Sequence, residues 1–143
     1  MPFAGASKKP AQTGSVWQDI TLGASQLKIA VVDDDGPVRD AIANLLEALG
    51  YAISVFPSGR AFLDSGTAAT TTCLIVDVQM PEMSGLELLE QLVAGEIPIP
   101  VIFITAFPRE AVRTKALSLG ARAYLSKPVQ QERLLECLEE VIA

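Results

Sequence analysis

The chain has 143 residues, 50% of them hydrophobic and 20% charged, with a formal net charge of −6, which is room for one ordinary core and excludes a second domain of comparable size. The acidic balance speaks against a nucleic-acid module, for which a basic stripe is expected. No apolar run is long enough to span a bilayer and the first residues lack the layout of a secretory signal, so the expected location is the cytoplasm, away from membrane.

Residues 1–26 are rich in Gly, Ala, Ser, Gln and Thr, carry Pro2 and Pro10, and show no sustained period. They read as a flexible extension ahead of a domain over residues 27–143; Trp17, Ile20 and Leu22 are its apolar exceptions. From Lys28 strand and helix alternate. Residues 28–32 make a short apolar strand, and residues 36–49 a helix with Pro37 at its first position and Gly50 at its end. Val38, Ala41, Ile42, Leu45, Leu46 and Leu49 recur at helical spacing and are expected to form one buried face. Residues 51–56 alternate, as an edge strand does, and a short helix over 58–64 follows. Cys73 to Val76 are apolar without alternation, the pattern of a strand covered on both faces, and the run stops at Asp77. Pro81 keeps the next segment in a loop. Ser84 then opens a helix reaching Val93, with Glu87 placed so that each side chain serves the other's backbone amide. A strand over 100–105, a helix over 108–119 stopped by Gly120, a strand over 121–125 and a helix over 130–142 complete the series, with Leu134, Leu135, Leu138, Val141 and Ile142 facing inward. Cys73 and Cys137 have no metal-ligand spacing and form no disulfide framework, and are expected to be small buried hydrophobes.

Five strands each followed by a helix imply right-handed crossovers and a doubly wound α/β fold. In such sheets ligands bind outside the carboxyl ends of the strands. The residues found there are Asp33, Asp34 and Asp35 after the first strand, Asp77 after the third, Thr105 after the fourth, and Ser126 with Lys127 after the fifth. Charge follows the same division: residues 29–108 carry only Arg39 and Arg60 against eleven acids, whereas residues 109–143 carry six basic against five acidic side chains. Carboxylates crowded at one edge raise one another's pKa unless a cation neutralises them. Magnesium suits such a cleft, taking one or two carboxylates, waters and a phosphate oxygen. With one lysine and one threonine hydroxyl opposite, the cleft suits phosphoryl transfer to a carboxylate.

Four stretches together resemble a known family: Ile29-Ala-Val-Val-Asp33-Asp34-Asp35, Val76-Asp77-Val-Gln-Met-Pro-Glu-Met-Ser-Gly85, Val101-Ile-Phe-Ile-Thr105-Ala106 and Gly120-Ala-Arg-Ala-Tyr124-Leu-Ser-Lys127-Pro128. They are similar, in this order, to the receiver domain of two-component response regulators, and most of all to receivers of the nitrogen-fixation regulator type. The expected fold is then a flavodoxin-like three-layer sandwich, a five-stranded parallel sheet of order 2-1-3-4-5 with five helices. The resemblance implies that Asp77 is the phosphoacceptor and Asp34 a magnesium ligand. It implies that Asp33 holds metal-bound water and that the backbone carbonyl of Gln79 completes the protein's metal ligands. Lys127 would pair with the acceptor carboxylate and then with the phosphoryl oxygens, Thr105 and Tyr124 would form a switch pair, and the Lys127–Pro128 bond would be cis. Asp35, followed by Gly36 and Pro37, is as readily a helix cap as a ligand.

The function so implied is a stand-alone receiver in a phosphorelay, not an enzyme. It would be loaded by a histidine kinase or phosphotransfer protein and signal to a downstream protein without direct DNA binding. Arg109, Arg113, Lys115 and Arg122 on the fourth helix and fifth strand face Glu132, Glu136, Glu139 and Glu140 on the fifth helix in sign, which allows a two-fold homodimer through that surface. The alternative is a haloacid-dehalogenase-type phosphatase, with Asp33 as nucleophile and Asp35 as acid/base. It lacks the acidic cluster that should end a strand after the lysine, since Glu132, Glu136, Glu139 and Glu140 lie in a helix. A flavin carrier would want a Ser/Thr/Gly-rich phosphate loop where the three aspartates stand. A binding module without chemistry would leave the four motifs unexplained.

Overall fold

A computed structural model describes residues 27–142; the expected extension over residues 1–26, with Trp17, Ile20 and Leu22, lies outside the described residues, as does Ala143. The elements in chain order are β1 (Lys28–Val32), α1 (Gly36–Ala48), β2 (Ala52–Phe56), α2 (Gly59–Asp64), a 3-10 turn (Ala68–Thr70), β3 (Cys73–Asp77), α3 (Gly85–Ala94), β4 (Val101–Thr105), α4 (Glu110–Ser118), β5 (Ala123–Ser126) and α5 (Gln131–Ile142). The strands form one five-stranded sheet of order β2-β1-β3-β4-β5. This is the doubly wound α/β architecture expected from the alternation.

The described residues fall into two compact units, residues 27–28 with Ala43–Ser54, and Ile29–Ile42 with Val55 onward. In the first, the helix end and the turn into β2 are closed by backbone bonds from Gly50 N to Glu47 O, Tyr51 N to Leu46 O and Ala52 N to Leu27 O. The buried face of α1 differs from its periodicity. Ile42, Ala43 and Leu46 are buried and Val38 and Leu45 partly so, but Ala41 is exposed and Leu49 is 46% exposed. A helix that covers its neighbour over a narrow stripe leaves the flanking apolar positions in solvent, and solvated single apolar residues are common. On α5, Leu134, Cys137 and Leu138 are buried, while Leu135, Val141 and Ile142 are partly so.

The second unit holds every candidate site residue. Its core joins Val32, Val76, Val101 and Phe103 of the sheet to Phe62 of α2, Leu88 and Leu92 of α3 and Ala116 of α4. β3 and β4 are buried at every residue, because two-sided cover is what their unbroken apolar runs require. Register then places the chemistry. Val32 pairs with Val76, so Asp33 and Asp77 leave adjacent strands at one height. Asp77 pairs with Ile104 and Thr105 with Ser126, which brings Thr105 and Lys127 to the same edge.

Helix ends are set by side chains the sequence already shows. Ser58 Oγ accepts from Ala61 N at 3.0 Å and opens α2. Ser84 Oγ accepts from Glu87 N at 3.1 Å while Glu87 Oε1 accepts from Ser84 N at 2.8 Å, the reciprocal arrangement expected at α3. Gly85 is required for a tertiary reason. A Cβ there would stand 2.5 Å from the Asp77 carbonyl oxygen and 2.9 Å from Cε1 of Phe103, so only hydrogen lets α3 begin this close to the end of β3. Gly120, at φ 104°, turns the chain from α4 into β5 through a conformation that side chains disfavour.

Candidate functional site

At the carboxyl edge of the sheet Asp33 and Asp77 are buried at 0% and 5% exposure and Asp34 is exposed. One carboxylate oxygen from each lies within 4.8 Å of the others. Lys127 is the cation among them, with Nζ 3.0 Å from Asp33 Oδ2 and 3.3 Å from Asp77 Oδ2. The contact with Asp77 is a hydrogen bond. The closer one with Asp33 is an ion pair poorly aligned for hydrogen bonding, so Asp33 Oδ2 is a buried oxygen without a directed donor. The lysine expected to serve the Asp77 carboxylate is therefore shared, and lies nearer Asp33.

Backbone amides fix the remaining oxygens. Asp33 Oδ1 accepts from Asp35 N at 2.9 Å, and Asp77 Oδ1 accepts from Gln79 N at 3.2 Å. The Gln79 residue itself is exposed. Asp35 turns away from the cluster. It is exposed, and its Oδ1 accepts from Val38 N at 3.3 Å, the helix-cap geometry allowed for it from sequence. Lys127 is carried to the site by its own backbone, since Lys127 N donates to Thr105 O at 2.8 Å, and its bond to Pro128 is cis.

Burial pushes the Asp77 carboxyl up to about 6, and the Asp33 charge adds to this, against the Gln79 amide and the Lys127 ammonium, which pull it down. Lys127 is held above its ordinary value: its own burial opposes the charge, but Asp33 and Asp77 together outweigh that. Three carboxylates against one ammonium, with a buried oxygen lacking a directed donor, fit a hard divalent cation, which takes oxygen ligands. The cysteines lie elsewhere and are inert. Burial raises the Cys73 thiol to about 12 and also raises that of Cys137.

Thr105 is fully buried. Its hydroxyl oxygen accepts from Phe107 N at 3.0 Å, and among the described residues no hydrogen bond joins it to the carboxylates. Tyr124 is partly buried, and its hydroxyl accepts from Arg109 N at 3.3 Å. The two hydroxyls thus hold the β4–α4 loop from opposite ends. That connection was not legible in the sequence, because neither partner is a side chain. A cleft of about 370 Å3 runs along β5 into α5, lined in part by Tyr124, Ser126, Pro128 and Arg133; it is not the carboxylate site. On the expected basic strip, Arg113 pairs with Glu110 at 3.7 Å and Lys115 with Glu90 of α3 at 3.6 Å. That strip is partly neutralised. Among the described residues no helix is long and apolar enough to cross a membrane.

Comparison with known proteins bears on the same residues. A family model described as the response regulator receiver domain matches residues 29–139. The chain is 34% identical over 114 residues to the transcriptional regulatory protein FixJ of Bradyrhizobium diazoefficiens, covering 80% of this chain and 56% of that protein. It is 35% identical over 135 residues to the response regulator protein TodT of Pseudomonas putida, covering 94% of this chain and 58% of that protein. The chain therefore spans little more than half the length of these relatives. The crystal structure of FixJ-N superposes with a TM-score of 0.73 at 33% identity, over 81% of this chain and 93% of that one.

Proposed function

This chain belongs to the response regulator receiver family, and on that premise we propose that Asp77 accepts a phosphoryl group from a histidine kinase or phosphotransfer protein, with magnesium held by Asp33, Asp34, Asp77 and the Gln79 backbone carbonyl. The observation that carries the proposal is the Asp77 carboxylate itself. It ends a strand buried at every residue, keeps 5% exposure where Asp33 has none, and shares Lys127 with a second carboxylate. In the transfer an Asp77 oxygen forms the new P–O bond as the P–N bond to the donor imidazole breaks, and the imidazole leaves with the electron pair. The metal supplies charge neutralisation for the carboxylates and phosphoryl oxygens. Lys127 moves its hydrogen bond from the Asp77 carboxylate to a phosphoryl oxygen and keeps Asp33 as counter-ion. Gln79 N fixes the orientation of the reacting carboxylate.

Signalling follows from Thr105. Drawn to the phosphoryl group, its hydroxyl gives up the Phe107 amide, and the space it leaves admits Tyr124. The β4–α4 loop loses both of its hydroxyl partners, and the population shifts toward a second packing of α4, β5 and α5. A downstream protein or a second copy of the chain with greater affinity for that packing reads the signal. Asp33 as a phosphatase nucleophile is not favoured, because it is wholly buried and Asp35, its required acid/base, caps α1 instead.

Intact-protein mass spectrometry after acetyl phosphate and magnesium tests the assignment. One added phosphoryl group is expected in the wild type and none in Asp77→Asn. Labelling that survives in Asp77→Asn and vanishes in Asp33→Asn returns the phosphatase reading.

A further inference from the structure

Beyond the carboxylates and Lys127, the guanidinium of Arg39 also reaches this edge of the sheet. Asp33 lies one residue past the end of β1. The Asp33 carbonyl accepts from Nη1 of Arg39 at 2.9 Å. The backbone amide of Arg39 donates to Asp35 O at 2.9 Å. That amide bond is the ordinary first-turn bond of α1, so what the Arg39 side chain adds is its grip on the Asp33 carbonyl, beside Asp34, while Asp33 Oδ1 closes the same turn through Asp35 N. The loop that presents Asp34 is tied by bonds converging on Arg39 and Asp33, and Arg39 is the side chain that comes in from α1.

The guanidinium is not engaged in a strong ion pair of its own. Its Nε is buried without a hydrogen-bond partner, and its ion-pair contact, with Asp40 Oδ1, is a loose 3.8 Å to a side chain 66% exposed. An arginine meant only to pair with a surface acid would point outward to it. Here it lies inward, with its side chain 21% exposed, and donates to backbone. A Cβ added at Gly36 would stand 3.5 Å from Nη2 of Arg39, so the guanidinium is seated close over the first turn of α1.

We infer that Arg39 is a positioning residue for the cation site: by gripping the Asp33 carbonyl, next to Asp34, its guanidinium holds the two carboxylates in the arrangement that binds magnesium. The inference rests on the magnesium reading above. Groups that orient metal ligands from behind alter affinity about 10-fold or more when removed. Charge alone makes the opposite prediction. A guanidinium beside a divalent cation repels it, so its removal by itself tightens binding. The sign of the change therefore separates positioning from charge.

The test is calorimetric titration of the full chain with magnesium chloride, well below the melting temperature of each variant, with amide spectra recorded alongside. Arg39→Gln is expected to weaken magnesium binding about 10-fold and to broaden or shift the amides of Asp34 and Asp35 before any metal is added. Arg39→Lys, which keeps the charge and a single donor, is expected to weaken it less. Equal or tighter binding by Arg39→Gln overturns the inference. Should Arg39→Gln fail to fold, Arg39→Lys decides on the same sign, weaker binding supporting the inference and equal or tighter binding overturning it. If the wild type shows no saturable magnesium binding, the metal reading and this inference fall together. If the wild type binds, Asp34→Ala does not, and both Arg39 variants bind as the wild type does, only this inference falls.

Discussion

Strands β3 and β4 are buried at every position, whereas α4 buries only Ala116 and β5 leaves Tyr124 partly buried and Ser126 exposed. Both regions meet the carboxyl edge of the sheet, one bringing Asp77 and the other Lys127. The contrast suits the tasks proposed for them. A phosphoacceptor must be held to a fraction of an ångström, which close packing on both faces supplies. A surface that changes state must have a second arrangement within a few kcal/mol, which a helix with one buried residue can reach. Thr105 stands at the boundary, buried in β4 while its hydroxyl holds the loop into α4.

Truncation breaks the comparison most severely. Phe103 has no exposure and lines the gap into which Gly85 fits. Phe103→Ala is expected to lower unfolding free energy by about 4 kcal/mol, whereas Leu117→Ala on α4, at 37% exposure, should change it by less than about 0.5 kcal/mol. Denaturant melts of the two variants check this. Similar losses at both positions would mean that α4 is as firmly packed as the central strands.

The next largest effect concerns the strain stored at Asp77. Its carboxyl titrates near 6 in the folded protein against an ordinary 3.8, so as pH falls the folded state takes up the proton first. The Asp77 contribution to stability is therefore lowest above about pH 6 and rises as pH falls from 6 toward 4. Lys127 acts at the other end of the range: its value is raised above 10.5, so its contribution is complete below that pH and is lost as pH rises beyond it. Asp77→Asn should abolish the slope between pH 4 and 6. Without magnesium it should raise stability at pH 7 by about 1–2 kcal/mol, less than the full linkage value because Asn also gives up part of the Lys127 pairing. Thermal melts across pH provide the measurement, and a wild-type stability that falls between pH 6 and 4, while Asp77→Asn stays level, would reverse the assignment.

Loss of the Thr105 hydroxyl should affect stability less than the Asp77 change and act on signalling downstream of phosphorylation. Thr105→Val removes the acceptor for Phe107 N without opening a cavity and is expected to cost about 1 kcal/mol. With beryllofluoride and magnesium, amide signals of residues 106–126 should move in the wild type and stay in place in Thr105→Val, while those beside Asp77 move in both. An undiminished response over 106–126 in Thr105→Val would detach Thr105 from the switch.

Much of this arrangement is local in origin and was legible in the order of residues. An unbroken apolar run stopped by a carboxylate marks a covered strand and its carboxyl end, which is how Asp33, Asp77, Thr105 and Lys127 can be gathered at one edge before any contact is known. Ser84 with Glu87, and Asp35 before Gly36, state their helix starts in side chains within three residues of the amides they serve. The alternation of strand and helix fixes the class of fold because crossovers between parallel strands have one hand. What tertiary structure alone decided involves partners distant in sequence or backbone groups that carry no residue identity. The 3.0 Å approach of Lys127 to Asp33 depends on the height at which three strands end. The need for glycine at position 85 arises only from how near α3 comes to the Asp77 carbonyl. The exposure of Ala41 and Leu49 depends on how wide a stripe of α1 is covered. The turn of Arg39 onto the Asp33 carbonyl, and of Phe107 and Arg109 amides onto two hydroxyls, were invisible for the same reason. A backbone donor or acceptor is the same at every residue, so only the folded chain shows which ones a side chain will find.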